Sequence, residues 1–158
     1  MLSTSRPVIQ CQNHLFDWAE YMDLKSWSQL KGLFAPKITI DYTSVGRAQL
    51  SLVPRATFVQ VLSSPGKLGN PGVVTQHLIG TCRCLKLSEN KPKDKFQIKA
   101  AHLRKSDTDD GNVVDNANAY SINTFEFELK EEGWKIVSIT VMARSMEGDF
   151  MDIFKSKI

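Results

Sequence analysis

The sequence predicts an α+β fold: N-terminal helices packed on one face of a curved, mostly antiparallel sheet. Three observations predict it. Val113–Lys130, VVDNANAYSINTFEFELK, is long for a strand, has no Pro or Gly, and alternates with period two. Residues 12–33 instead place apolar side chains every three or four positions, as an amphipathic helix does. Between residues 73 and 144 the turn-forming stretches ENKPKD, SDTDDGN and EEG separate long alternating runs, the pattern of a hairpin-connected meander. Helices kept apart from such a meander form a layer against it.

In chain order, residues 1–11 read as a loose arm. Leu15, Trp18, Ala19 and Met22 then mark one helix face, with Asn13 as its cap and Asp17 in its first turns. Leu24, Trp27, Leu30 and Leu33 repeat the period, so two short helices or one bent helix fit, closed by Gly32 and Pro36. Residues 36–43 read as a strand with Ile38, Ile40 and Tyr42 on one face, and 44–53 as a loop. Pro54 opens a helix over 56–62, which carries Val61. The Gly- and Pro-rich SSPGKLGNPG follows as a connection.

Residues 73–88 place Val73, Thr75, His77, Ile79 and Thr81 on one strand face, and residues 95–106 place Phe96, Ile98, Ala100, His102 and Arg104 together. The long strand sets Ser121 and Asn123 in the middle of a face that ends in Phe125 and Phe127. Residues 134–144 form the last strand. There Trp134, Ile136, Ser138, Thr140 and Met142 oppose Val137, Ile139 and Val141. The tail, 148–158, carries Phe150, Ile153 and Phe154 on one side of a short helix. A bent sheet wrapped on helices makes a cone whose mouth is a natural ligand site.

Composition narrows the function. The 158 residues are 42% hydrophobic and 23% charged, which suits one domain with a sizeable core. A net charge of +3 with no Lys/Arg block gives no reason to expect nucleic acid. MLSTSRPVIQCQNHLF lacks the apolar centre of a signal peptide, and no run is long enough to span a membrane. The cysteines are Cys11, Cys82 and Cys84. Their odd number and the missing leader point to a reducing interior, cytoplasmic or endosomal/vesicular, rather than classical secretion. CxxC, HExxH, P-loop and GxGxxG motifs are absent.

Tyr42, His77, His102, Ser121 and Asn123 are polar groups on otherwise apolar faces, and Asp23 stands at a helix junction. Taken singly, each has an ordinary explanation. A strand His is more often a satisfied core residue than a catalyst, Tyr42 a core aromatic, and Asp23 a helix cap. As a set they suit acid–base chemistry on a carbonyl compound. Histidine exchanges protons near neutral pH, a carboxylate fixes its tautomer, and an amide and a phenol polarise a substrate oxygen. No activated nucleophile for hydrolysis is evident. Two His and an Asp could equally bind a metal, though no spacing supports that specifically.

FDWAEYMDLKSW, APKITIDYTS, TQHLIG, AHLRKSD, SINTF and DFMDIF, in that order, also resemble segments of scytalone dehydratase, a fungal lyase of the NTF2-like superfamily. The resemblance runs from about Phe16 to Phe154. It implies an NTF2-like cone with a C-terminal lid and a homotrimer. It implies loss of water from a hydroxylated, phenolic polyketide ring, with no cofactor and no metal. It implies His77 as the base, His102 held by Asp23, Asn123 on a substrate oxygen and Ser121 bonded near a histidine. Tyr42 would polarise the carbonyl through water, and Phe150 and Phe154 would form the lid. Met22, Val45, Val61 and Ala100 complete the expected substrate contacts. The sequence departs from the family at Met22, where a second tyrosine stands, and at Val45, where an aromatic follows the IDY strand. Tyr21 is adjacent to Met22 but turned ~100° away on a helix. The dehydratase class therefore has more support than scytalone itself as substrate. An isomerase or cyclase in the same pocket, or a non-catalytic binder, are the alternatives; His77→Ala abolishes turnover in the first two and only alters affinity in the third.

Overall fold

The computed structural model describes residues 5–86, 91–108 and 111–155. Helix α1 (Ser5–Asp23) buries Cys11, Leu15, Trp18, Ala19 and Met22 as one stripe. The expected loose arm is thus helical from Ser5 onward, and Asn13 lies within the helix rather than capping it. Lys25 stops α1 at φ 56. Its N–H bonds the Met22 carbonyl while the Ser26 N–H reaches back to Tyr21, the paired closure of a left-handed helix end. Helix α2 (Trp27–Leu33) follows, burying Leu30 and Leu33.

Strand β1 (Phe34–Asp41) lies one strand in from the sheet edge, parallel to the last strand on one side. On its other side lies β2 (Leu50–Pro54), an edge strand inside what reads as a loop. Every residue of β2 is at least partly exposed, so it carries no period-two signal. Helix α3 (Arg55–Leu62) is followed by β3 (Val73–Lys86), β4 (Pro92–Lys105), β5 (Val113–Lys130) and β6 (Gly133–Glu147). The six strands run in the order β2-β1-β6-β5-β4-β3, antiparallel except for β1–β6. The expected α+β fold, a mostly antiparallel sheet packed on N-terminal helices, is the observed one.

Bulges decide which side chains face the core. Between Ile79 and Cys82, β3 uses three steps where β4 uses two, so the inward set changes from odd to even numbers. Thr81, expected inside, is exposed, while Cys82 and Cys84 turn inward. On β6 an extra residue at Val137 has the same effect. Trp134 and Ile136 are buried before it and Ile139 after it, so both halves of the predicted alternation contribute to the core. Trp134 is 7% exposed and belongs to the main core cluster.

Gly148 then turns the chain back over β5. Its φ is 77°, and a Cβ there would lie 2.3 Å from the Asn116 carbonyl oxygen. Helix α4 (Phe150–Ile153) is started by Asp149, whose Oδ1 accepts from the Met151 and Asp152 N–H groups. Ile153 is fully buried against Val73 and Ala117, which seats the tail on the sheet's inner face.

Candidate active site

Asp23 is the last helical residue of α1, where a negative charge meets the negative end of the helix dipole. The site repays that unfavourable placement on β3. Thr75 Oγ1 donates to Asp23 Oδ1 at 2.8 Å, the His77 backbone N–H donates to Oδ2 at 2.8 Å, and His77 Nδ1 lies 2.6 Å from Oδ1. Burial pushes the carboxyl up, but the bonds and charge of His77 and the Thr75 hydroxyl outweigh it and leave Asp23 below the ordinary carboxylate value. The residue is therefore neither a helix cap nor the partner of His102. With Lys25 in the left-handed conformation, the end of α1 faces β3, and His77 takes the carboxylate. A neutral His77 that donates Nδ1–H to Asp23 carries its lone pair on Nε2. Trp18 packs edge-on against the His77 ring at 5.2 Å, fixing its plane.

His102 lies on β4, diagonal to His77. His77 pairs with Ala100, and His102 pairs with Thr75 on one side and Ala117 on the other. The two imidazole centroids are 6.1 Å apart, close enough for one small molecule to touch both. Burial first, and then the neighbouring charge of His77, pulls His102 down to about 4, against the opposing Ala100 backbone and Asp23. His102 is thus neutral at neutral pH. Its Nδ1 is buried with no hydrogen-bond partner among the described residues, an orphan that a ligand hydroxyl or carbonyl-bearing group can satisfy. Beside the histidines the inner face carries the small residues Thr75, Ala100, Ala117 and Ala119, so the floor between them is low.

Ser121 and Asn123 are both buried, one and two rows along β5. Ser121 Oγ donates to Asn123 Oδ1 at 2.7 Å; it does not bond a histidine. That bond fixes the amide flip and leaves the Asn123 NH2 as the free donor. Tyr42 follows Asp41, which pairs with Thr140, so the inward row beyond it runs through Val141 to Asn123. Burial pushes the Tyr42 phenol up to about 12, which keeps it a proton-bearing donor. Ser44 clamps the following turn onto β6 by accepting from the Ala143 N–H and donating to the Val141 carbonyl. Val45 lies half-buried in that turn.

The remaining expected contacts are spread around this centre. Met22 is 4% exposed in the main core cluster, with Tyr21 packed at its edge. Phe150 and Phe154 stand over His102, with centroids at 5.0 and 6.4 Å, and so lie where a lid would. The Lys67 ammonium covers the Phe154 ring, tying the loop after α3 to the tail. Val61, on α3, is 52% exposed. Asp23 and His77 also line a cleft of about 370 Å³ between α1 and the β3 edge, beside Phe16, Glu20 and Leu78. A larger groove of about 460 Å³ crosses the outer sheet face and shares only Ser121 with the candidate set. Thr75 and Trp18 are site residues that the sequence reading placed on the right faces without assigning them a role. The even-odd pattern shared by Thr75 and His77 was the available signal.

The scytalone dehydratase family model matches residues 5–157. A scytalone dehydratase-like protein of Claviceps purpurea is 36% identical over 91% of this chain and 91% of its own length. The dehydratase AgnL8 of Paecilomyces divaricatus is 32% identical over 96% and 87%. The scytalone dehydratase of Pyricularia oryzae is 33% identical over 89% and 82%. Among solved structures, a protein of Kribbella flavida superposes with a TM-score of 0.80 at 17% identity, covering 96% of this chain and 99% of that one. A hexachlorocyclohexane dehydrochlorinase of Novosphingobium barchaimii gives 0.69 at 13% identity, covering 92% and 90%. No helix among the described residues is long and apolar enough to cross a membrane.

Proposed function

The chain belongs to the scytalone dehydratase family and is an enzyme of the dehydratase class, and from that premise we propose that it removes water from a hydroxylated, phenolic polyketide ring ketone without a cofactor. The Asp23–His77 pair carries the reading: a half-buried carboxylate at 2.6 Å holds the imidazole by Nδ1 and leaves Nε2 to serve as a base. Nε2 takes the proton from the carbon beside the carbonyl. The electron pair of that C–H bond forms the enolate, which then expels the β-hydroxyl. His77, now an imidazolium paired with Asp23, returns the proton to the departing oxygen as water leaves. Ring aromatisation supplies the driving force.

His102 is the poorer proton donor because it is held neutral, and it serves instead to orient the substrate through its unpartnered Nδ1. The Asn123 amide donates to a substrate oxygen, its direction set by Ser121, and Tyr42 polarises the carbonyl, directly or through water. Phe150 and Phe154 close over the ring and exclude solvent. The outer face of the sheet exposes Leu78, which lines its groove, and Met142, which pairs with Ile122 of that groove, and this favours assembly with further copies of the chain, a trimer by resemblance.

The test is incubation with scytalone in EDTA, wild type beside His77→Ala. Loss of one water by mass spectrometry, absent in the variant, supports the proposal. A product of unchanged mass moves the reaction to isomerisation. Turnover by His77→Ala at the wild-type rate overturns the assignment of the base.

A further inference from the structure

A second polar cluster lies on the inner face of the sheet, at the opposite end of β3 and β4 from the histidines. It follows from the bulge after Ile79, which turns Cys82 and Cys84 inward. Cys84 pairs directly across the ladder with Asp94, and the thiols and carboxylate all approach within 4.8 Å of one another. Asp94 is 1% exposed, and neither of its oxygens has a hydrogen-bond partner. No ion pair among the described residues reaches it either: the neighbouring Lys93 points to the other face, where it bonds Glu126. The Cys84 thiol beside it is a weak donor, so this buried carboxylate is poorly satisfied and suited to direct coordination by a cation.

We propose that Cys82, Cys84 and Asp94 form a binding site for a thiophilic divalent metal ion, zinc above all, which pins the bulged end of β3 to β4. The spacing fits. Tetrahedral zinc with Zn–S bonds of ~2.3 Å holds two sulfurs ~3.8 Å apart, and the Cys82 and Cys84 sulfurs are 3.9 Å apart. One Asp94 oxygen is the third ligand, and water completes the tetrahedron. Binding displaces the two thiol protons, and two thiolates with one carboxylate outweigh the charge of the ion by one. Gln12 Nε2 already donates toward Cys84 Sγ at 3.8 Å, the kind of outer contact that steadies a thiolate ligand. Cys11, fully buried on α1, covers the site from the helix layer without belonging to the ligand triangle. Cys82 lies five positions beyond His77 on β3, ~15 Å along a strand. The metal therefore touches no reacting atom, and the site is structural.

The probes are Zn²⁺ and Co²⁺, added to the full chain with its thiols reduced and chelator removed. One equivalent of Co²⁺ is expected to bind with thiolate-to-cobalt charge-transfer absorption and the intense visible bands of a tetrahedral centre. Zn²⁺ bleaches both, protects Cys82 and Cys84 from alkylation and raises the thermal midpoint. Cys84→Ser and Asp94→Asn each weaken binding by at least about tenfold, since losing a ligand costs no less than losing a ligand's own partner. The wild-type spectrum and the alkylation pattern decide the question even if a variant does not fold. An octahedral spectrum without charge transfer, unprotected cysteines, or binding that survives Cys84→Ser and disappears in His77→Ala would overturn the site.

Discussion

Replacing Asp23 with Asn keeps the shape of the carboxylate and removes its charge. In the wild type its oxygens accept from Thr75 Oγ1, the His77 N–H and His77 Nδ1. An amide cannot accept from all three. If its NH2 faces the His77 N–H, two donors meet and a charge-assisted bond worth about 1.5–3 kcal/mol is lost. If it faces Nδ1, the imidazole must adopt the Nε2–H tautomer and Nε2 no longer carries the basic lone pair. The first case lowers the rate about 10- to 150-fold. The second resembles a wrong-tautomer triad, where losses approach ~10⁴. We expect kcat to fall between ~10- and ~10⁴-fold with little change in KM, and nitrogen-15 spectra of His77 to report the tautomer and so which case holds. The loss should be strongly non-additive with His77→Ala, because the two residues act as one unit. A kcat within about threefold of wild type, less than ~0.7 kcal/mol, would refute the argument. So would additive losses, which would give Asp23 a partner other than His77.

Acid should destabilise the fold through His102. Its folded value of about 4 lies below the unfolded ~6.5, so its contribution is complete above pH ~6.5 and is lost as pH falls through the folded value, up to about 3 kcal/mol. Denaturant midpoints across that window should slope for the wild type and flatten for His102→Gln; parallel profiles would contradict the burial argument. Asp23, held below its ordinary value, adds a further loss at lower pH. Ser121→Ala frees the Asn123 amide to flip and should lower kcat/KM about 5- to 15-fold, the worth of one buried hydrogen bond, without changing the pH profile. Asp149→Ala removes the cap of a four-residue helix and about 1 kcal/mol with it. Quenching of Trp18 by bound ligand should then need more ligand, whereas unchanged affinity would remove the lid from the mechanism. Met22→Tyr places a phenol at a site 4% exposed and should cost about 1–3 kcal/mol by overpacking. A thermal midpoint equal to or above wild type would mean that the pocket still has room for the family's second tyrosine.

Wherever period two runs unbroken, the strands and their inner faces are legible in the sequence alone. The long strand was legible from Val113 to Lys130 because one face is apolar over most of its length. His77, His102, Ser121 and Asn123 could be placed inside by the same alternation, and the helical stripe of Leu15, Trp18, Ala19 and Met22 was equally plain. The edge strand β2 was not legible, because exposed side chains leave no periodicity. Nor was the inward turn of Cys82 and Cys84, since a bulge inserts one residue and inverts every face after it. Which histidine holds Asp23 is set by packing between the layers. That depends on where the left-handed turn at Lys25 points the end of α1 against β3, over fifty residues further along the chain. Tertiary structure also decides that Ser121 serves Asn123, because two side chains on one strand face choose between each other and more distant partners only when the sheet's curvature is set. Local pattern records which way a side chain faces; which partner it meets there is fixed by how the layers pack.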